Sequence, residues 1–223
     1  MIRLTIGRVQ IYQFLIKIFC HLPDQQLITM IRSNELGDVL DLFNHLNQPV
    51  FQDSIADIIS YQLSVKAKPD NEVLNGLSVD RTKIMRGIGD GNTKPPHESV
   101  YRNNNNIEEY ILGIKRFYRK SGLLPDETVH ESPDYLCVEL DFMRELCMRE
   151  LEQWGSDMNA SETMSMEEEF LRKHLGIWVK EFCDNVKLQC KTDFYRGFTS
   201  ILGSFIKIDM KYVHELLSSL HTN

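Results

Sequence analysis

Apolar positions recur every three or four residues along most of the chain, and few stretches alternate with the two-residue period of a strand. The spacing predicts helices over 5–20, 23–33, 35–46 and 51–66, separated by short breaks at Pro23, Asn34 and Pro49. KAKPDNEVLNGLSVD then reads as a polar connection, leading into a short apolar segment at 79–86. The next stretch, GIGDGNTKPPHESVYRNNNN, places glycines, a double proline and an asparagine run together. No regular element tolerates that composition, and loops of such length in compact domains are usually functional or disordered.

Helical spacing resumes after the asparagines. Asn106 is a favourable cap, and Glu108 and Glu109 fall where the helix dipole is positive. That helix is expected to run to about Lys120 and stop at Gly122, whose backbone freedom suits a helix end. Ser132 and Pro133 fit the cap and first helical position of the next helix. Ser165 with Glu168 forms a capping-box pattern ahead of EFLRKHLGIWVKEFCDNVKLQ. Two further helices, 192–205 and 209–220, close the chain. The fold class expected is all-α with about ten helices. It is expected as a single domain, with N-terminal helices over 1–86 and C-terminal helices over 107–223 joined by a Gly/Pro-rich hinge at 87–106.

One helix holds an anomaly. In ESPDYLCVELDFMREL, each residue turns by about 100° around the axis, so with Leu136 at zero, Leu140, Met143, Cys147 and Leu151 lie within about 60°. Tyr135, Val138, Phe142 and Leu146 widen the apolar arc to more than half the circumference. Glu139 falls inside that arc, at about 300°. A buried carboxylate needs a partner, so Glu139 is expected to be satisfied by a group from a neighbouring helix. Asp134, in the first turn, is expected to be more accessible. With Glu131, Asp126 and Glu127 it makes a locally acidic corner.

Composition narrows the function. The chain has 223 residues and a net charge of −7. An acidic surface argues against nucleic acid, which needs phosphates neutralised, and favours a cationic partner. The five cysteines form no CxxC pair and sit among apolar residues, which reads as buried free thiols in a reducing compartment. Gln10, Gln13 and Lys17 interrupt the apolar N-terminal run, so no stable membrane insertion is expected. GIGDGNTK lacks the Gly-Lys-Ser/Thr ending of a phosphate loop, and neither HExxH nor GxSxG occurs. His174 and Trp178, four apart on one helix face, read as a core histidine packed by an aromatic. Catalytic residues, metal ligands and cofactors therefore have no positive signal. The alternatives left open are a nucleotide-binding protein or enzyme using the 87–101 loop, and a helical scaffold without specificity.

ESPDYLCVELDFM resembles the signature of the TorD/DmsD-type redox-enzyme maturation chaperones, a glutamate, a Pro-Asp-His run and then Glu-Leu-x-Phe-Met. YQFLIKIF is similar to that family's first helix, PPHESVYR to its proline-rich hinge, and FLRKHLGIWVKEF to its late helix. The pieces occur in the family's order. The resemblance implies an all-helical, non-catalytic, cytoplasmic chaperone. Its partner would be a molybdopterin-dependent oxidoreductase catalytic subunit, engaged through the twin-arginine signal peptide, the body, or both, before cofactor insertion and export. Carried over by position, the leader-binding residues are Pro133, Asp134 and Tyr135 with neighbouring Glu131, and Gly89, Pro95, Pro96, Ser99 and Tyr101. Glu139, His174 and Trp178 stand as supporting residues. Tyr135 departs from the pattern, since the family usually has histidine there. Exchange of helices across the hinge would allow a domain-swapped homodimer.

Overall fold

A computed structural model of the chain describes residues 1–46, 48–88, 93–102, 106–124 and 131–220. Among these residues are eleven α-helices and no strand. They are α1 (Ile2–Cys20), α2 (Gln25–Arg32), α3 (Glu35–His45), α4 (Gln52–Ser64), α5 (Asp70–Arg86) and α6 (Glu98–Tyr101). The remainder are α7 (Ile107–Ser121), α8 (Leu136–Gly155), α9 (Ser161–Lys173), α10 (Leu175–Lys187) and α11 (Asp193–Leu220). The all-α expectation and the helix count both hold.

Several boundaries differ from those expected, each for a local reason. Helix α5 begins at Asp70, well before 79, because the polar run there is the solvated side of an amphipathic helix. Pro69 opens it, Asp70 and Glu72 occupy its first turn, and Val73 and Leu77 are buried. Asn106 caps α7 as expected, its side chain accepting from the Glu109 amide, and Gly122 closes it at φ 70°. Ser132 and Pro133 form a turn ahead of α8 instead of its cap, which is Tyr135. Helix α9 already runs from Ser161, so Ser165 lies inside it and its hydroxyl donates back to the Ser161 carbonyl at 2.7 Å. The long helix expected past Ser165 is broken at His174, whose φ −127° and ψ −101° are not helical. The two helices expected over 192–220 are instead one, α11.

The described chain divides into two compact units. One comprises Lys17–Pro95 and Glu181–Ser204. Its core includes Phe19, Ile31, Phe43, Phe51, Leu77 and Phe194, all buried. Asp80 of α5 is buried there and accepts from the Lys191 amide and from both the amide and hydroxyl of Thr192. It thereby satisfies the orphan donors at the start of α11, as a cap supplied from another helix. Gly197 marks a close backbone approach, since a Cβ there would stand 2.7 Å from the Ser54 carbonyl oxygen.

The other unit comprises Met1–Ile16, Pro96–Lys180 and Phe205–Asn223. Here α8 packs against α9, and Leu136, Leu140, Met143, Leu146 and Cys147 are buried, as the helical spacing requires. Cys147 here, and Cys183 and Cys190 of the first unit, are free buried thiols, whereas Cys20 and Cys137 are not free, contrary to expectation.

A buried ionic cluster crosses this unit's core. Arg8 of α1 is 4% exposed. Its guanidinium lies 2.6 Å from each of Glu150, Glu167 and Asp209, on α8, α9 and α11. Thr5 and Trp154 donate to Glu150, and Tyr12 donates to Asp209. Three carboxyls around one cation are more negative charge than the core can hold. Burial, followed by the Glu150 and Asp209 carboxylates, pushes the Glu167 carboxyl up to about 8 against the pull of Arg8. Glu167 therefore carries its proton at neutral pH.

Arg8→Ala is expected to cost about 3–5 kcal/mol or to abolish folding, because it strands buried carboxylates; urea unfolding followed by circular dichroism measures it. The sign of the Glu167 contribution follows from its raised value. The unfolded carboxyl releases its proton near pH 4.5 while the folded one keeps it, so stability is fully present below that and falls as pH rises towards 8. Unfolding free energies from urea titrations between pH 5 and 8 should decline in the native chain, with Glu167 contributing at most about 1.4 kcal/mol per pH unit, and Glu167→Gln should flatten the decline. An unchanged profile in the variant would show that Glu167 ionises normally.

Candidate functional site

Two segments distant in sequence meet at the start of α8. The Leu136 amide donates to the Pro96 carbonyl and the Glu98 amide to the Asp134 carbonyl, each at 2.9 Å. These bonds make an isolated antiparallel bridge between His97 and Tyr135. Proline suits position 96 because the bridge uses its carbonyl and asks nothing of its missing N–H. Asp134 then locks the junction with its side chain. Its carboxylate accepts from the Ser99 amide at 3.0 Å and from the Ser132 hydroxyl, and the His97 ring nitrogen stands 3.5 Å away. The Ser99 bond caps the one-turn helix α6 from outside.

Asp134 is 1% exposed, so the accessible carboxylate anticipated at this position is a buried one. Burial opposes its ionisation, but the bonds from His97, Ser132 and Ser99 outweigh burial and hold the carboxyl well below the usual carboxylate range. Tyr135 is half-buried, with its ring 5.0 Å from that of His97. The Pro133 carbonyl accepts from Tyr118 of α7 at 2.8 Å. Glu131 is exposed.

Beneath this junction lies a second polar layer. Glu139 is fully buried, as its angular position requires, and Trp178 donates to its Oε2 at 3.0 Å. Tyr101 stacks on Trp178 with ring centres 5.5 Å apart. Its other neighbour is a second carboxyl, Glu98 of α6, also fully buried. Burial and then the Glu98 carboxylate raise the Glu139 carboxyl well above the usual range. Glu139 thus stays protonated and can donate to Glu98. Around Glu98 stand His174 at 3.1 Å, Arg102 at 2.7 Å and the Tyr110 hydroxyl, which bonds to it. His174 also lies against Phe170 and Phe117, with ring centres at 5.0 and 5.7 Å. It is packed among aromatics as anticipated, and it holds a carboxylate as well.

Of the residues singled out from sequence, Pro96, Ser99, Tyr101, Pro133, Asp134, Tyr135, Glu139, His174 and Trp178 fall within one unit and form these two layers. Pro95 belongs to the other unit. It packs at Gly87, which closes α5 at φ 63° and where a Cβ would meet the proline nitrogen at 2.4 Å. Gly89, and with it most of GIGDGNTK, lies outside the described residues, as do Asp126 and Glu127. Sequence reading missed His97, Glu98, Arg102 and Tyr110. Nothing in HESVYR signals that Glu98 is buried, because its burial depends on the pairing with 134–136. The arrangement is chemically suited to holding cations and aromatic or apolar side chains. It brings together no nucleophile and base, and among the described residues no group of histidine, cysteine or carboxylate side chains has the geometry to hold a metal.

Known proteins resemble this chain over the same region. The profile of the family described as "Nitrate reductase delta subunit" matches residues 45–184. The chain is 22% identical over 208 residues to "Chaperone protein TorD" of Aliivibrio salmonicida (strain LFI1238), across 92% of this chain and 94% of that protein. It is 25% identical over 126 residues to the "Perchlorate reductase assembly chaperone protein" of Dechloromonas aromatica (strain RCB), across 56% of this chain and 55% of that one. It is 28% identical over 94 residues to the "Selenate reductase assembly chaperone protein" of Thauera selenatis, across 42% and 48% respectively. The names are those of chaperones, not of catalysts. The chain belongs to the nitrate reductase delta subunit family, that of the TorD/DmsD-type maturation chaperones.

Proposed function

We propose that the protein is a cytoplasmic chaperone that binds the twin-arginine leader, the body, or both, of a molybdopterin-dependent reductase subunit until its cofactor is inserted. The observation that carries this reading is the His97–Tyr135 bridge, which turns segments 96–101 and 131–139 into one surface. A leader of this kind joins two guanidinium groups to an apolar segment. Arginine pairs with carboxylates through charge-assisted bonds, and an acidic chain draws such a ligand in. In this reading Tyr135, Glu131 and Tyr101 present the contact surface. Pro96, Ser99, Pro133 and Asp134 set its backbone, with Glu139, His174 and Trp178 as the floor. Gly89 and Pro95 enter this reading only through their place in the sequence pattern of the family's hinge.

Calorimetric titration with a synthetic twin-arginine leader, and with its twin-lysine counterpart, tests the proposal. Binding of the first and clear weakening with the second are expected. Absence of binding by either peptide, and by the reductase body, would overturn it. Tyr135→Ala should weaken the leader at least several-fold while the melting temperature hardly moves.

Asp134→Asn should lose leader affinity and also about 1–3 kcal/mol of stability, since a buried acceptor of three bonds is replaced by a group that partly mismatches them. The Asp134 carboxyl is depressed in the folded chain, so its contribution is present above about pH 4, the ordinary aspartate value, and is lost as pH falls further. The variant's melting temperature should accordingly differ from the native one at pH 6 and converge with it in strong acid.

Glu139 behaves differently because it is already neutral. Glu139→Gln keeps an acceptor for Trp178 and a donor for Glu98, so a change below about 1 kcal/mol is expected, against roughly 2–3 kcal/mol or more for Glu139→Ala. Thermal melts of the two variants compare them, and equal losses would show that Glu139 is ionised.

A further inference from the structure

Arg102 sits where a visiting arginine would sit. Its guanidinium lies 2.7 Å from Glu98 Oε1, with the carbon Cζ 4.9 Å from the centre of the Tyr110 ring. Its Nη2 also reaches the Lys173 carbonyl, the last of α9 and hence at the negative end of that helix. A carboxylate, an aromatic face and a helix C-terminus are three independent attractors for a planar cation. The carboxylate is fully buried and pre-positioned by His174 and Tyr110.

The fit of Arg102 itself is poor. A buried Nε has no hydrogen-bond partner among the described residues, and the contact with Glu98 Oε1 is an ion pair without hydrogen-bond alignment. An arginine held for structure alone commonly meets its carboxylate through two parallel bonds, which leaves no donor buried and empty. The side chain of Arg102 keeps 27% of its surface exposed, so it has a way out to solvent, whereas Glu98 does not. A guanidinium arriving on a flexible peptide could approach Glu98 in the bidentate geometry that the tether of Arg102 prevents.

We infer that Glu98, Tyr110 and the Lys173 carbonyl form a guanidinium-binding site, and that Arg102 occupies it until an arginine of the client replaces it. The replacement by a leader arginine rests on the function proposed above; the guanidinium site does not. Arg102 thereby acts as an internal competitor, which lowers affinity for any arginine-bearing ligand by the fraction of time it is seated. An occupancy of nine-tenths weakens binding about tenfold.

The test uses the full chain as wild type, Arg102→Gln, Arg102→Ala and the double variant Arg102→Ala/Glu98→Gln. Two ligands are titrated: capped arginine (N-acetyl-arginine amide) and the twin-arginine leader peptide. Folding of each variant is checked by its melting curve. Both single variants are expected to take up capped arginine, seen as a rise in melting temperature at millimolar probe that wild type lacks, and the double variant to lose it. The leader should bind the single variants up to about tenfold more tightly than wild type. Leader binding that is unchanged or weaker in both single variants would overturn the displacement while leaving the leader reading intact. Failure of both to take up capped arginine would overturn the site itself. If no form binds the leader yet the single variants take up capped arginine through Glu98, the leader reading falls and the guanidinium site stands.

Discussion

The Asp134 carboxylate is the constraint on which the junction between residues 96–101 and 131–139 depends. Residues 96–101 have too little regular structure to hold themselves in place, because α6 is a single turn with no side-chain cap of its own. Asp134 supplies that cap from 35 residues away, through the Ser99 amide, while its backbone carbonyl takes the Glu98 amide. Remove the carboxylate and the turn loses its anchor. Glu98 then loses the geometry that brings it to His174, and the floor beneath Trp178 loses its second carboxyl. An acid that looks from sequence like a ligand for a partner is therefore primarily a ligand for the protein's own backbone.

The unit solves the problem of buried acid in two ways. Around Arg8 the answer is a counter-charge, with one guanidinium shared among three carboxyls and Glu167 left neutral. Under the junction the answer is a proton: Glu139 stays protonated beside Glu98. The difference follows from what lies nearby. Helix α1 carries a full cation into the first cluster. The second has an indole and aromatic rings below it, and its cation, Arg102, approaches from the partly exposed side. The first cluster joins four helices, so it sets how α1, α8, α9 and α11 pack within the unit. The second opens towards solvent through Arg102.

Much of this was legible in the chain. The three-to-four spacing gave the helices, and the angular position of Glu139 gave its burial. The same arithmetic places Glu150 at about 320°, between Glu139 and Met143, so a second carboxylate in the apolar arc was there to be seen. Arg8 was not, because a basic residue in an N-terminal helix that also carries Arg3 and Lys17 looks like surface until three acids from other helices converge on it. The break at His174 was also hidden. FLRKHLGIW has an unbroken helical period, and the break folds the backbone back so closely that a Cβ at Gly176 would stand 2.4 Å from the Leu171 carbonyl oxygen. Glu98 was illegible for a third reason, since a segment of 35 residues separates it from the strand-like pairing that buries it. Periodicity reports the burial of helices, and it is silent about side chains buried by a bridge.

That silence bears on Tyr135, which stands where the family resemblance implies histidine. Read alone, that departure leaves the segment 133–135 without an imidazole. In the folded chain an imidazole is nonetheless present: His97 faces the Asp134 carboxylate at 3.5 Å, and its ring lies 5.0 Å from that of Tyr135 across the bridge. The pair places a phenol ring and an imidazole side by side across the bridge, and the imidazole faces the buried carboxylate. A recognition surface needs its chemistry at a place, and the antiparallel bridge makes positions 97 and 135 the same place. The Asp134 carboxylate thus has an imidazole beside it in the folded chain, and His97 supplies it.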